Sequence, residues 1–365
     1  MKRFAILTSG GDAPGMNAAV RAAALLGAAK GAEVFGIQHG YEGLLHDEIV
    51  PLLPKHVAGI IREGGTMLGS ARCLEFHEQS ARDTARKNLQ DRGIDGLVVI
   101  GGNGSLTGLQ YLTDAKENST GLRGVGIPAS IDNDVGVTRL AIGVDTAINT
   151  IVEACDKISD TASAHDRTFI VEVMGRQCGY LAMTSAIASG ANAVLFPEMD
   201  KSEDEIVDTV VRAVVTAQKR KDRSKRVLVI KAEGVNISTE RLKTQLDVKL
   251  KAALPHAPKI EARITVLGHV VRGGRPSALD RQIGSRLANV AVQALLTGRS
   301  RVMAAWLPAA GMPEEVAQIS PSDPQCSLID IDRVLTETAA MLDGSSAFVK
   351  WRKKAFSEIE GVLAL

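Results

Sequence analysis

The chain has 365 residues, more than the roughly 100 to 200 that one compact core holds, so two lobes are the starting expectation. Its 43 Lys and Arg stand against 42 Asp and Glu, a net charge of +1, which excludes a broad field for capturing nucleic acid or an anionic membrane. Hydrophobic residues make up 45% and charged residues 23%, which excludes a disordered chain. Short apolar runs ending in glycine alternate with longer Ala- and Leu-rich segments of helical period, the rhythm of a mostly parallel sheet with helices on its faces.

In chain order, Arg3 to Thr8 reads as a strand; its apolar run is too short for a signal-peptide core, and the turn TSGGDAPG leads into a helix over Met16 to Lys30. Strands are expected at Glu33 to Ile37, Gly96 to Ile100 and Arg123 to Ile127, the middle one followed by the turn GGNGS. A helix is expected over Asp145 to Thr161, then a strand at Thr168 to Val173 ending in VMGRQCG. The charge-free stretch from Gln177 to Pro197 is too polar for a membrane span. It reads as a buried helix, Gly179 to Ser189, and a strand, Ala193 to Phe196. Helices at Glu203 to Gln218, Ser238 to Ala253 and Ser277 to Leu296 alternate with strands at Val227 to Lys231 and Arg263 to Leu267. The basic run KRKDRSKR, Lys219 to Arg226, reads as a solvated loop, with anion binding as the alternative. Linkers are expected near Asp134 to Gly143, after Ala253 and around Leu307 to Pro324, and a helix in the tail from Ser345. Cys73, Cys155, Cys178 and Cys326 form no CxxC pair and have no histidine pair beside them, so reduced thiols and a cytoplasmic location are expected.

Three strand, glycine-turn, helix units point to phosphate. Glycine lets backbone approach an anion, and the free N–H groups of a helix start favour negative charge; tight βα turns are the competing reading of each unit. There is no Gly-Lys dipeptide for a Walker A loop and no GxSxG elbow, and GVGIPA is spoiled as a dinucleotide fingerprint by Pro128. The run PASIDND places Asp132 and Asp134 two apart, on one side if the segment is extended. They suit a general base and a supporting or metal-linked carboxylate, as kinase chemistry requires, against the alternative of an acidic surface turn. Arg72, Arg167, Arg176, Arg263 and Arg272 each stand beside a glycine turn or strand end, where guanidinium matches phosphate oxygens. His269 reads as a phosphate donor or a structural histidine, and Glu233 as an acceptor for sugar hydroxyls or a helix-entry residue.

Taken together, LTSGGDAPGMNAAVR, GGTMLGSAR, VVIGGNGS, IPASIDNDV, VEVMGRQCG and TVLGHVVRGG resemble the bacterial 6-phosphofructokinase family from about Lys2 to about Gly311. The resemblance implies an α/β fold of two Rossmann-like three-layer lobes with the active site in the cleft between them. A larger ATP-binding lobe would comprise 1–143 plus 270–322, and a smaller fructose 6-phosphate lobe 144–269 plus 323–365 with a helical tail. It implies transfer of a phosphoryl group from ATP, with Mg2+, to the C1 hydroxyl of fructose 6-phosphate. Asp132 falls at the family's catalytic base, Asp134 beside it, and Ser130 where a threonine contacts the phosphoryl group. Gly11, Arg72, Gly104 and Arg176 match positions that cradle the transferring phosphate. Tyr41, Cys73, Gly102, Ser105 and Gly108 match the nucleotide pocket. Met174, Gly175, Glu233, His269 and Arg272 match the sugar-phosphate pocket, to which Arg167 and Arg263 come from a neighbouring subunit, implying a homotetramer.

One contrast and two departures qualify the resemblance. Gly104 and Ala129 stand where pyrophosphate-dependent relatives have aspartate and lysine, which favours ATP over that alternative donor. Asn103 replaces an aspartate near magnesium; with Asp134 it is the expected metal contact, metal capture is expected to be weaker, and Asn103 together with Ser130 leaves a weakly active regulatory subunit as a rival. Arg21 remains of the arginine-rich allosteric pocket, while Leu25, Pro54, Ser159 and Asn192 lack its charges, so a weakened response to ADP and phosphoenolpyruvate is expected.

Overall fold

A computed structural model describes residues 1–164, 166–220, 225–255, 260–308, 318–320 and 323–363. The middle of the basic run, 221–224, and parts of two expected linkers, 256–259 and 309–317, lie outside the described residues. The chain begins with β1 (Arg3–Ser9), α1 (Met16–Ala29), β2 (Glu33–Ile37), α2 (Gly40–Leu45) and β3 (Ile49–Pro51). It continues with α3 (Gln79–Asp91), β4 (Gly96–Gly101), α4 (Asn103–Leu112), β5 (Arg123–Pro128) and α5 (Val144–Ala164). Next come β6 (Thr168–Val173), α6 (Tyr180–Ser189), β7 (Ala193–Leu195), α7 (Glu203–Gln218), β8 (Val227–Ala232), α8 (Thr239–Ala253) and β9 (Ala262–Val266). The last elements are α9 (Ala278–Leu296), β10 (Val302–Trp306), β11 (Gln318–Ser320), β12 (Asp323–Asp330), α10 (Ile331–Leu342) and α11 (Ala347–Leu363).

Two compact units emerge, Met1–Thr146 with Arg272–Ala340 and Ala147–Val271 with Met341–Leu365. The first holds a sheet of order β11-β12-β10-β5-β4-β1-β2-β3, in which β2, β1, β4, β5 and β10 run parallel. β4, GLVVIG, is buried at every residue, as a central parallel strand covered on both faces must be. Chain order runs outward from β1 through β2 and β3, then resumes with β4 on the other side of β1. The direction of winding therefore reverses between β1 and β4, the position in an open α/β sheet where a crevice forms at the strands' carboxyl ends.

The second unit holds a parallel sheet of order β7-β8-β6-β9. Its β8 buries Lys231 to 1% exposure, tolerable because the ammonium pairs with Glu172 at 3.1 Å. Helix starts carry their own signals. Ser202 and Glu205 form a reciprocal capping box on α7, and the Ser238 and Ser277 hydroxyls accept from the N–H groups of Arg241 and Asp280 at the starts of α8 and α9. Among the described residues, no helix is long and apolar enough to cross a membrane.

One boundary differs from the sequence reading, which placed all of 323–365 with the smaller lobe. β12 instead pairs antiparallel with β10, from Val302 opposite Asp330 to Trp306 opposite Cys326, so residues to Ala340 belong to the first unit. The cause is tertiary. Asp323 receives two hydrogen bonds from Arg286 on α9 at 2.7 and 2.6 Å, a bidentate pair that anchors the strand start and holds the Asp323 carboxyl below the usual carboxylate range.

Candidate active site

The carboxyl ends of β1, β4 and β5 open into one cavity of about 520 Å³ in the first unit. Gly11, Tyr41, Arg72, Cys73, Gly102, Asn103, Gly104, Ser105, Gly108, Ser130, Asp132, Asp134 and Arg272 all line it. Strand register explains the convergence, since Ser9 pairs with Gly101 and Gly101 with Pro128, so three turns leave the sheet at one level.

The Asp132 segment is a turn and not the extended run in which the two carboxylates would share a side. Asn133 has φ 50°, a left-handed conformation that asparagine tolerates better than most residues. Its buried amide donates to Arg139 O at 3.0 Å, and its Oδ1 accepts from Ala141 N at 3.0 Å. This clamp holds the turn while Asp132 and Asp134 both face the cavity wall. The Asp134 carboxylate accepts from the Ser130 hydroxyl at 2.7 Å and from the Asn103 amide at 3.1 Å.

The first turn of α4 carries two polar atoms in want of a ligand. Asn103 Oδ1 and Ser105 Oγ are buried without a hydrogen-bond partner among the described residues, an arrangement that calls for an explanation in a folded protein. The Tyr41 hydroxyl donates to Ser105 O at 2.6 Å, its ring stacks on Phe76 at 4.2 Å, and burial pushes its pKa well up. Gly108 owes its identity to this ring, because a Cβ there would stand 2.6 Å from Tyr41 carbons. Gly104 differs. Beyond its own helix, no described atom lies within 4 Å of where its Cβ would stand, so a side chain there would project into open space.

Arg72 and Cys73 lie on a segment without helix or strand, held by polar ties to β1 and α1. Thr8 donates to Gly69 O at 2.8 Å, Ser70 to Gly10 O at 2.5 Å, and buried Asn17 donates to Glu63 O and Gly64 O while accepting from Met67 N at 2.7 Å. Arg72 itself is exposed and has no partner among the described residues. Arg272 donates to Asp12 O at 3.1 Å, and a Cβ on Gly11 would stand 2.5 Å from its Nη1. Sequence reasoning missed Phe76, His77 and Tyr111, which lie outside the quoted motifs, and the roles of Thr8, Asn17 and Asn133, which lie inside them but act on partners elsewhere in the chain.

Met174, Gly175, Arg176, Glu233 and His269 follow the carboxyl ends of β6, β8 and β9 in the second unit. Gly175 has φ +132°, and a Cβ there would stand 2.6 Å from Cys178 O, so the Arg176 loop requires glycine at this point. Arg176 is exposed and has no partner among the described residues. Arg167 and Arg263 lie at the other end of the same sheet. Arg167 precedes β6, six residues long and about 20 Å at roughly 3.3 Å per residue; Arg263 stands opposite Phe169. Both face Glu261, at 3.8 and 2.8 Å. Within one chain these two arginines do not join Arg176.

The sequence profile described as Phosphofructokinase matches residues 3–295. The ATP-dependent 6-phosphofructokinase of Thermotoga neapolitana is 45% identical over 305 residues, covering 84% of this chain and 90% of that one. Among solved structures, phosphofructokinase from Saccharomyces cerevisiae superposes with a TM-score of 0.79 at 31% identity, covering 98% of this chain and 50% of that chain. Pichia pastoris phosphofructokinase in the T-state gives 0.82 at 33%, covering 98% and 42%. The chain thus spans half or less of the two yeast chains it matches. With the profile over most of its length and a bacterial relative well above 30% identity, this chain belongs to the phosphofructokinase family.

Proposed function

We propose that this protein transfers the terminal phosphoryl group of ATP to the C1 hydroxyl of fructose 6-phosphate, giving fructose 1,6-bisphosphate and ADP. The observation that carries the reading is the gathering of two glycine turns, Arg72, Arg272 and Asp132 in one cavity at the winding reversal of the first sheet. The nucleotide phosphates lie on the backbone of the turns after β1 and β4, where free N–H groups favour anions. Asp132 takes the proton of the C1 hydroxyl as its oxygen bonds to phosphorus and the bond to the ADP oxygen breaks. Arg72 and Arg176, both without a competing carboxylate among the described residues, neutralise charge on the transferred group. Glu233, His269 and the Met174–Gly175 backbone hold the sugar.

The donor assignment rests on Gly104, whose open side leaves room for the α-phosphate of ATP. The test is the purified chain with fructose 6-phosphate, magnesium and either ATP or pyrophosphate. Turnover is expected with ATP, and faster turnover with pyrophosphate would overturn the assignment. Turnover by the isolated chain also separates an enzyme from a regulatory subunit.

Magnesium held with nucleotide phosphates needs only one or two side-chain oxygens. Among the described residues, no group of three His, Cys, Asp or Glu is placed as a protein-only cage. Asp134 and the orphaned Asn103 Oδ1 fit the smaller requirement and would hold the ion, which when bound neutralises phosphate charge. Asn103→Asp replaces an amide donor with a second carboxylate beside Asp134. Like charges at that separation repel until a cation joins them, so this variant should melt lower than the parent without magnesium and gain more on its addition. An equal magnesium response would place Asn103 away from the metal.

Arg167 and Arg263, at the far end of the second unit's sheet, serve the sugar phosphate of a neighbouring copy in a homo-oligomer, for which we propose a tetramer. Assayed at fructose 6-phosphate well below the KM of the Arg263→Ala enzyme, mixing Asp132→Asn chains with Arg263→Ala chains under subunit exchange should raise activity above that of either alone. Each hybrid then contains sites with intact Asp132 from one chain and intact Arg263 from the other. No recovery in confirmed hybrids would mean the site is not shared.

A further inference from the structure

Arg352, on the C-terminal helix α11, is only 7% exposed. Its guanidinium lies over the Tyr180 ring at 4.5 Å and the Phe348 ring at 4.2 Å, and its Nη1 donates to Cys178 Sγ at 3.6 Å. Its Nε and Nη2 are buried without partners among the described residues. A buried charge without a full set of hydrogen bonds costs stability, and an apolar side chain of similar volume in such a place is often neutral or better. The charge therefore calls for a role other than stabilisation.

Its contacts indicate that role. Cys178 and Tyr180 lie at the end of the loop that carries Arg176 and at the start of the helix that follows. The loop is tied at two further points: Gly234 N donates to Gly175 O at 3.1 Å, and Gly179 N donates to the Glu198 carboxylate at 2.9 Å. One turn beyond Arg352, Phe356 meets Phe196 edge-on at 5.2 Å, and Phe196 closes over Gly179, where a Cβ would stand 2.3 Å from it. Helix α11 thus touches the loop through the Arg352 guanidinium and backs it through Phe356 on Phe196, while Arg176 and Gln177 in its middle stay exposed.

We propose that α11 is a strut for the Arg176 loop and that Arg352 is its positioning residue, setting where the Arg176 guanidinium stands relative to the transferred phosphoryl group. The proposal rests on the reading of Arg176 given above. Arg352 touches no substrate; it acts through Cys178 and Tyr180 on a loop whose displacement by about 1 Å is enough to cost up to a hundredfold in rate.

The test uses the full chain with Arg352→Met, Arg352→Lys, Arg176→Ala and the double variant Arg176→Ala/Arg352→Met. Arg352→Met should lower kcat about tenfold and leave the KM for ATP unchanged, without lowering the thermal midpoint. Arg352→Lys, which returns a cation to the two rings, should recover part of the loss. The double variant should be no slower than Arg176→Ala alone. Full kcat in Arg352→Met, or a loss that adds to that of Arg176→Ala, would overturn the strut. If Arg352→Met does not fold, Cys178→Ala removes the loop-side partner and should lower kcat in the same way, with unchanged kcat overturning the proposal. Full kcat in Arg176→Ala would instead overturn the underlying reading of Arg176.

Discussion

Asp132→Asn should cut kcat by about three orders of magnitude, within the range a positioned general base contributes, while the KM for ATP changes little. The argument is local. Asparagine keeps the shape of the side chain and leaves the Asn133 clamp on Arg139 O and Ala141 N intact, so the turn should hold its form. What disappears is the acceptor for the C1 hydroxyl proton. Steady-state kinetics with saturating ATP and fructose 6-phosphate measure the loss, and thermal unfolding checks that the variant is folded. A folded variant retaining a tenth or more of parental kcat would remove Asp132 from the role of base.

The second expected result separates the arginines by the step they serve. Arg176→Ala should lower kcat about a hundredfold, since one aimed donor in a low-dielectric site contributes about 3 kcal/mol to the transition state. Arg167→Ala and Arg263→Ala should instead raise the KM for fructose 6-phosphate and spare kcat. A hydrogen bond to a charged group contributes about 1.5 to 3 kcal/mol, which is tenfold or more in affinity. Each removal also ends one arginine's pairing with Glu261, which the two face at 3.8 and 2.8 Å, so the effect on affinity is smaller than the gross contact. Equal losses of kcat in both classes would erase the division.

Much of the fold was legible because the signal was dense. Glu33–Ile37, Thr168–Val173 and Glu203–Gln218 occur with the expected bounds, since a short apolar run or a capping box with helical period leaves little competition. The expected linker around Leu307 to Pro324 was misleading. Its prolines, serines and Asp323 mask β11 and the start of β12, and an antiparallel strand joined to β10 needs no crossover helix to announce it.

The site divides in the same way. The glycine turns and the SIDND run could be read directly, because glycine beside a strand end and paired carboxylates are rare local patterns. That SIDND is a turn locked by Asn133 could not, since the locking partners at Arg139 and Ala141 lie in a stretch read as linker. Nor could the tie from Thr8, Gly10 and Asn17 to the Arg72 segment, which depends on contacts 46 to 61 residues apart.

The sequence by itself determined the type of each element it marked out, the phosphate-seeking turns and the family resemblance, because these follow from short-range periodicity and residue chemistry, while α3, β10, β12 and α10 carried no such mark. Only the tertiary structure decided that β12 joins the larger sheet between β10 and β11, that winding reverses between β1 and β4 to open the cavity, and that Arg167 and Arg263 lie a strand's length from Arg176. Strand order, register and partner choice are set by packing between distant segments, and no window of neighbouring residues encodes them.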